Sequence, residues 1–290
     1  MGAGILKLAA TSGPGDATRI AREAVAAGAD LVLVLGGDGT INEAVNGMIH
    51  SNAALGILPG GTANVLAMEL GLGSRLDRAI VRLSQCAARR VSVGRVSLAS
   101  AGGISRNGLP QRDAQGDAQN GERHFLAMGG AGLDARIVFD MSPAFKVRAG
   151  KLAYWLTGFG HATQPVGQFE ARVVGSPNAG HAYQCGFALI SRVRNYGGDL
   201  EIASGASLAH DDFEIVLFEG SNPLRYLWYM LGVSMKRVQN MAGVHTLHGG
   251  RVELAGDVHL QVDGEYAGRL PASIDIVPAA ITLLMPPGYE

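Results

Sequence analysis

The 290-residue chain has only two cysteines, Cys86 and Cys185, about a hundred positions apart. That spacing offers no zinc knuckle, no redox pair and no disulfide framework, and it suits a reducing compartment. An excess of charge of either sign is also absent, with 24 Lys plus Arg against 25 Asp plus Glu. Electrostatic tracking of nucleic acid is therefore not expected. No stretch reaches the roughly 18 apolar residues of a spanning helix, and the N-terminus lacks the basic-then-apolar pattern of a signal peptide. These absences predict a cytoplasmic protein with at most peripheral membrane contact. The longest uncharged aromatic-rich run, Tyr226 to Met235, is closed by Lys236 and Arg237. It reads as a core helix, with an interfacial contact as the alternative. No repeat of fixed period is present.

Two ordinary domains fit the length. Over the first ninety residues, short apolar strands alternate with helical periodicity, the pattern of βα units on a parallel sheet. Ile5 to Ala9 and Leu31 to Leu35 read as buried strands. Between them Asp16 is placed to cap a helix whose face carries Ile20, Ala24 and Val25, and Gly28 to end it. Ile41, Ala44, Val45, Met48 and Ile49 fall at i, i+3, i+4, i+7 and i+8, predicting a second helix. Ala54 to Leu58 predicts the next strand, followed by helices starting at Ala63 and carrying Leu76, Ile80 and Leu83 inward. The first domain is assigned to residues 1–92.

From residue 93 onward short alternating segments such as Phe169 to Val174, Phe187 to Ile190 and Glu214 to Phe218 predict a mostly β domain, whose last strand is a candidate to return to the first domain. Ser100 to Arg123, rich in Gly, Gln, Asp, Asn and Ser, reads as a loop between strands.

The sharpest chemical signal is Leu31 to Thr40, LVLVLGGDGT. A strand runs directly into Gly36, Gly37, Asp38, Gly39 and Thr40 before a helix. Glycines permit close backbone approach to a phosphate, and a helix N-terminus presents N–H groups and a positive dipole end to an anion. Asp38 beside phosphates would be repulsive without magnesium, so it argues for metal-nucleotide chemistry. A second strand-to-helix loop, Leu58 to Asn64, is placed at the same sheet edge, with Gly61, Thr62 and Asn64 as further candidate contacts. The G-x-G-x-x-G pattern of dinucleotide folds is missing. Further on, Asp263-Gly264-Glu265 reads by spacing as a hairpin turn. His245 and His248 form an H-x-x-H pair read as surface polar residues. Lys146, Arg148 and Lys151 are read as a solvated face or a contact for anionic lipid.

Taken in order, GGDGT at 36–40, INEAVNG at 41–47, PGGTAN at 59–64, GGAGLDA at 129–135 and VDGE at 262–265 resemble the bacterial diacylglycerol kinase and lipid kinase family. GGDGT alone is shared with NAD kinases and phosphofructokinases, and Asn42-Glu43 with the late VDGE mark the lipid-kinase branch. The resemblance implies an α/β nucleotide-binding domain followed by a β-sandwich domain, with ATP and magnesium in the cleft. It places Thr11, Gly36 to Asn42 and Thr62 on ATP, and makes Glu265 the general base, with Asp263 beside it and Asp38 on the magnesium side. It implies a lipid hydroxyl as acceptor, a diacylglycerol-like or sphingoid lipid met at a membrane surface, and a possible homodimer. Asp211 and Asp212 fall where the family holds a structural magnesium. An initial strand and Asn-Pro-x-Ser-Gly turn of the family have no counterpart here, and Asn64-Val65 replaces Asn-Asp. A small-molecule kinase resembling NAD kinase and a non-catalytic binding protein of the same fold are the rival readings.

Overall fold

The computed structural model describes residues 7–99, 122–133, 135, 166–175, 181–197 and 200–290. The elements run α1 Asp16–Ala26, β1 Leu31–Gly36, α2 Asp38–Met48, β2 Ala54–Pro59, α3 Val65–Glu69 and α4 Leu76–Leu83. Then come β3 Ala87–Leu98, β4 Glu122–Phe125, β5 Met128–Gly132, β6 Phe169–Val174, β7 Ala182–Ser191, β8 Asn195–Gly197, β9 Leu200–Glu201 and β10 Phe213–Glu219. After helix α5, Pro223–Ser234, follow β11 Val244–Gly249, β12 Arg251–Gly256, β13 His259–Val262, β14 Glu265–Arg269 and β15 Ala272–Met285. The result is an α/β first part and a β-rich second part around two apolar clusters.

β1 and β2 pair in parallel, from Leu31 opposite Ala54 to Gly36 opposite Pro59. With α2 as the crossover, this register ends both strands at one sheet edge and sets the two glycine loops side by side. α2 buries Ile41, Ala44, Val45 and Met48, as its periodicity predicts, and also buries Asn42.

β15 joins the two parts. Its start, Ala272 to Asp275, pairs with β12, and most of its length pairs with β3. Past an irregularity between Val277 and Ile281, Thr282 and Leu283 run parallel to Ala54 and Leu55 of β2. A bulge bends a strand, which is what allows one strand to serve both neighbourhoods.

Several expectations are corrected. Residues 7–10 form no strand, and Leu8 is almost fully exposed. Leu31, Leu33 and Leu35 of β1 are exposed rather than buried, because among the described residues β1 has a neighbouring strand on one side only. α1 buries Ala17, Thr18 and Ala21 most deeply, since it packs on α2 at Gly47, where a side chain would run into Thr18 and Ala21, while Ile20, Ala24 and Val25 are half-buried and Val25 packs against the core. α4 turns Ala79 and Leu83 inward, and Leu76 and Ile80 stay exposed. Leu83 reaches over Gly56 of β2 and sets that face. Residues 100–121 of the expected loop, together with Lys146, Arg148 and Lys151, lie outside the described residues.

Candidate active site

The site forms where the start of α2 meets the β13–β14 hairpin. On the α2 side the glycines first serve each other. Gly60 N–H donates to the Gly36 carbonyl at 2.9 Å, and a Cβ on Gly61 would stand 2.5 Å from the Gly37 Cα. Two backbones can approach this closely only without side chains. Thr40 packs back on Gly36, where a Cβ would lie 2.8 Å from its own. Asn64 closes the second loop from the left-handed region, with φ of 48°. Its Oδ1 accepts the Gly61 N–H and its Nδ2 donates to the Gly61 carbonyl, both at 2.8 Å. Asn64 is thereby a brace for its own loop. Thr62 is exposed at the loop tip, and Thr11 is exposed in the irregular stretch before α1.

Carboxylates organise the helix starts. Asp38, at the head of α2, accepts the Leu66 N–H at 3.4 Å, at the N-terminus of α3. Burial raises its proton affinity, and the N–H groups of Leu66 and Val65 oppose that rise. Glu43 accepts the N–H groups of Gly15 at 2.9 Å and Ala17 at 3.0 Å, so it caps α1 from a distance. Asp16, expected as that cap, instead accepts the N–H and hydroxyl of Ser12. These bonds hold its carboxyl well below the usual range.

On the other side, Asp263 and Gly264 both have positive φ, 47° and 79°, and close the two-residue hairpin between Val262 and Glu265. This is the primed turn that an Asp-Gly pair favours. The turn also aims the Asp263 carboxylate into the protein. There Oδ1 accepts the N–H groups of Ala127 at 3.1 Å and Met128 at 2.9 Å. Oδ2 accepts the Leu126 N–H at 3.1 Å and Asn42 Nδ2 at 2.8 Å. Burial pushes Asp263 up to about 6, and these donors restrain the rise. Asp38 adds to the rise through its charge.

Asn42 links hairpin and helix. Besides Asp263, its Nδ2 donates to the His124 carbonyl at 3.0 Å, and its Oδ1 accepts from Arg123 Nη2 at 3.2 Å. The same Arg123 nitrogen is paired with Glu265 Oε2. The other oxygen of Glu265 lies over α2, because a Cβ on Gly39 would fall 2.5 Å from Oε1. A continuous chain thus runs Asp263–Asn42–Arg123–Glu265 and leaves one carboxylate oxygen above the helix N-terminus. First-turn N–H groups of a helix have no acceptor within it, so an anion and a hydroxyl acceptor have adjacent places here.

A family profile described as "Diacylglycerol kinase catalytic domain" matches residues 2–96. A second, "YegS C-terminal NAD kinase beta sandwich-like domain", matches residues 127–285, more than half of the chain. The chain belongs to the diacylglycerol kinase family. A Bacillus subtilis protein named diacylglycerol kinase is 26% identical over 286 residues, covering 96% of this chain and 84% of that one. A Staphylococcus epidermidis diacylglycerol kinase is 26% identical over 275 residues, covering 91% and 77% respectively. The crystal structure of a putative diacylglycerol kinase from Bacillus anthracis superposes with a TM-score of 0.74 at 19% identity, over 97% of this chain and 84% of that one. That likeness carries the fold.

Within this diacylglycerol kinase fold, Gly36 to Asn42, Gly61, Asn64, Asp263 and Glu265 come together, and Thr62 lies at the rim. Arg123 is the member that sequence reasoning missed. In the sequence it falls at the end of the polar loop Ser100 to Arg123, and the available signal is its place as a cation entering a strand just ahead of Phe125. Asp211 and Asp212 lie apart from this group. Asp211 bonds the Ser92 hydroxyl, and Asp212 Oδ2 meets His248 Nδ1 at 3.1 Å. The buried guanidinium of Arg192 donates to the Asp212 carbonyl at 3.2 Å and the Leu208 carbonyl at 3.0 Å. Among the described residues no group of three or more His, Cys, Asp or Glu is placed to hold a metal ion. His245 and His248, three apart on β11, face opposite sides of the strand, and His245 pairs with Glu219.

Proposed function

We propose that the chain is an ATP- and magnesium-dependent lipid kinase that transfers the γ-phosphate to a hydroxyl of a diacylglycerol-like or sphingoid lipid. The observation that carries this reading is Glu265, held by Arg123 with one oxygen over Gly39 at the head of α2. The residues that would hold the nucleotide are Gly36 to Asn42, with Thr62 and Thr11 at the margins. Magnesium, when bound, offsets the negative charge of the phosphates beside Asp38.

In this account the N–H groups at the head of α2 orient a phosphate, and the backbone contact between Gly37 and Gly61 keeps the floor of the site rigid. Glu265 accepts the hydroxyl proton while the hydroxyl oxygen forms its bond to phosphorus and the bond to the leaving diphosphate oxygen breaks. Arg123 fixes the direction of that carboxylate. Asp263 has no free oxygen to offer a substrate, so its place in the mechanism is to anchor the hairpin that carries Glu265.

The test is transfer of radiolabelled γ-phosphate from magnesium-ATP to a panel of diacylglycerol, sphingosine, ceramide, phosphatidylglycerol and NAD. The expected result is a labelled lipid, with turnover lowered about a thousandfold by Glu265→Gln and ATP binding retained. Labelled NAD alone would replace the lipid assignment, and full turnover in the Gln variant would remove Glu265 as the base.

A further inference from the structure

Helix α5 is apolar on two faces. Its inner face seats Tyr226, Tyr229, Gly232 and Val233 in the core. Its outer face carries Leu224, Trp228, Leu231 and Met235 at i, i+4, i+7 and i+11, with exposures of 69%, 61%, 48% and 54%. With Met235 at the C-cap, these are four of the twelve exposed large apolar side chains among the described residues. The helix is not free to roll them inward. Tyr226 Oη donates to the Gly220 carbonyl at 2.9 Å, and Tyr229 Oη lies 3.2–3.3 Å from the carbonyls of Glu219, Ala242 and Gly243.

Arg225, Lys236 and Arg237 lie on the helix or just beyond its end, and the helix itself carries no acidic residue, although the whole protein carries a net charge of −1. Lys236 and Arg237 are exposed where the apolar stripe ends, and Lys236 reaches Glu201 at 3.1 Å. A tryptophan and long apolar side chains beside cations match the boundary between acyl chains and anionic headgroups. At about 1.5 Å per residue the stripe is roughly 17 Å long, enough to lie along a bilayer and short of the ~30 Å needed to cross one.

We propose that the outer face of α5 is the surface by which this protein docks on an anionic bilayer, with Trp228 and Leu231 entering the headgroup boundary and Lys236 and Arg237 resting on lipid phosphates. Its use, bringing the active site to a lipid substrate, rests on the kinase reading. Docking itself does not.

The experiment uses the full chain and vesicles of phosphatidylcholine with 30% phosphatidylglycerol, read by co-sedimentation, with pure phosphatidylcholine vesicles for comparison. The parent protein is expected to bind the anionic vesicles more tightly, and more weakly in high salt. Trp228→Glu combined with Leu231→Glu should lower binding by about tenfold or more, and Lys236→Glu with Arg237→Glu should remove the preference for phosphatidylglycerol. Both pairs are exposed, so circular dichroism should match the parent, with melting lowered only slightly in the second pair by loss of the Lys236–Glu201 ion pair. Turnover on a water-dispersed short-chain diacylglycerol should be unchanged in these variants while turnover on vesicle-embedded diacylglycerol falls. Parental sedimentation of both variants would overturn the proposal. So would a dimer, seen by light scattering without vesicles, that Trp228→Glu splits while vesicle binding persists. Loss of vesicle binding in a protein that phosphorylates no lipid would uphold docking and remove the kinase reading.

Discussion

At the scale of single residues, the site separates two carboxylates that share one turn. Asp263 is buried, with all its acceptor capacity directed at Leu126, Ala127, Met128 and Asn42. Glu265 faces Arg123 and Gly39 at the cleft. Arg123→Ala should lower turnover by about a hundredfold with little change in ATP affinity, because a misdirected base loses rate rather than binding. Arg123→Lys should recover part of it, since a lysine supplies the charge without the planar fork. Steady-state kinetics of the two variants check this.

Asp263 also predicts a pH dependence of stability. Burial raises it to about 6, above the ordinary aspartate value of 3.8, so the folded state holds this proton more tightly. The resulting stabilisation is fully present below about pH 4 and is withdrawn as pH rises through 6. The difference in urea unfolding free energy between the parent and Asp263→Asn should therefore shrink by about 3 kcal/mol from pH 4 to pH 7. A flat difference across that window would show that the donors around Asp263 hold its carboxyl near the ordinary value.

At the scale of elements, two glycine loops are braced against each other before any ligand arrives. Gly61→Ala would drive a methyl group against the Gly37 Cα, a backbone atom that cannot swing aside. The expected cost is about 1–3 kcal/mol, with weakened ATP binding as the loops separate. Calorimetric melting with and without magnesium-ATP measures both. Glu43 shows the same logic in helix capping. It sits in the second turn of α2 and still supplies acceptors to the first N–H groups of α1, which ties the two helices at their ends.

At the scale of the whole molecule, β15 pairs with strands of both parts, so the two are expected to unfold as one cooperative unit. Ile281 is fully buried at the point where the strand passes from the second part to the first. Ile281→Ala should cost about 2–4 kcal/mol and lower a single unfolding transition. Two separated transitions in differential scanning calorimetry would instead mean that the parts unfold independently.

The sequence by itself determined the α/β-then-β order, the helix α2, the strands β6 and β10 to within a residue, and the two glycine loops. Each of these rests on local periodicity or on a residue type that a backbone geometry requires. The Asp-Gly turn was legible as a hairpin from spacing, and as part of a site only through the family resemblance. Burial was less legible, because an apolar pattern marks a face without saying which neighbour covers it. Leu31, Leu33 and Leu35, Ile20 and Ile80, and the outer stripe of α5 all carry the composition of a core, yet the packing of their elements leaves them partly or largely in solvent. Only the tertiary structure decided that Asn42, Arg123, Asp263 and Glu265 form one chain of hydrogen bonds. The 221 positions between Asn42 and Asp263 are closed by sheet pairing, and no local signal records which distant donor a buried carboxylate will meet.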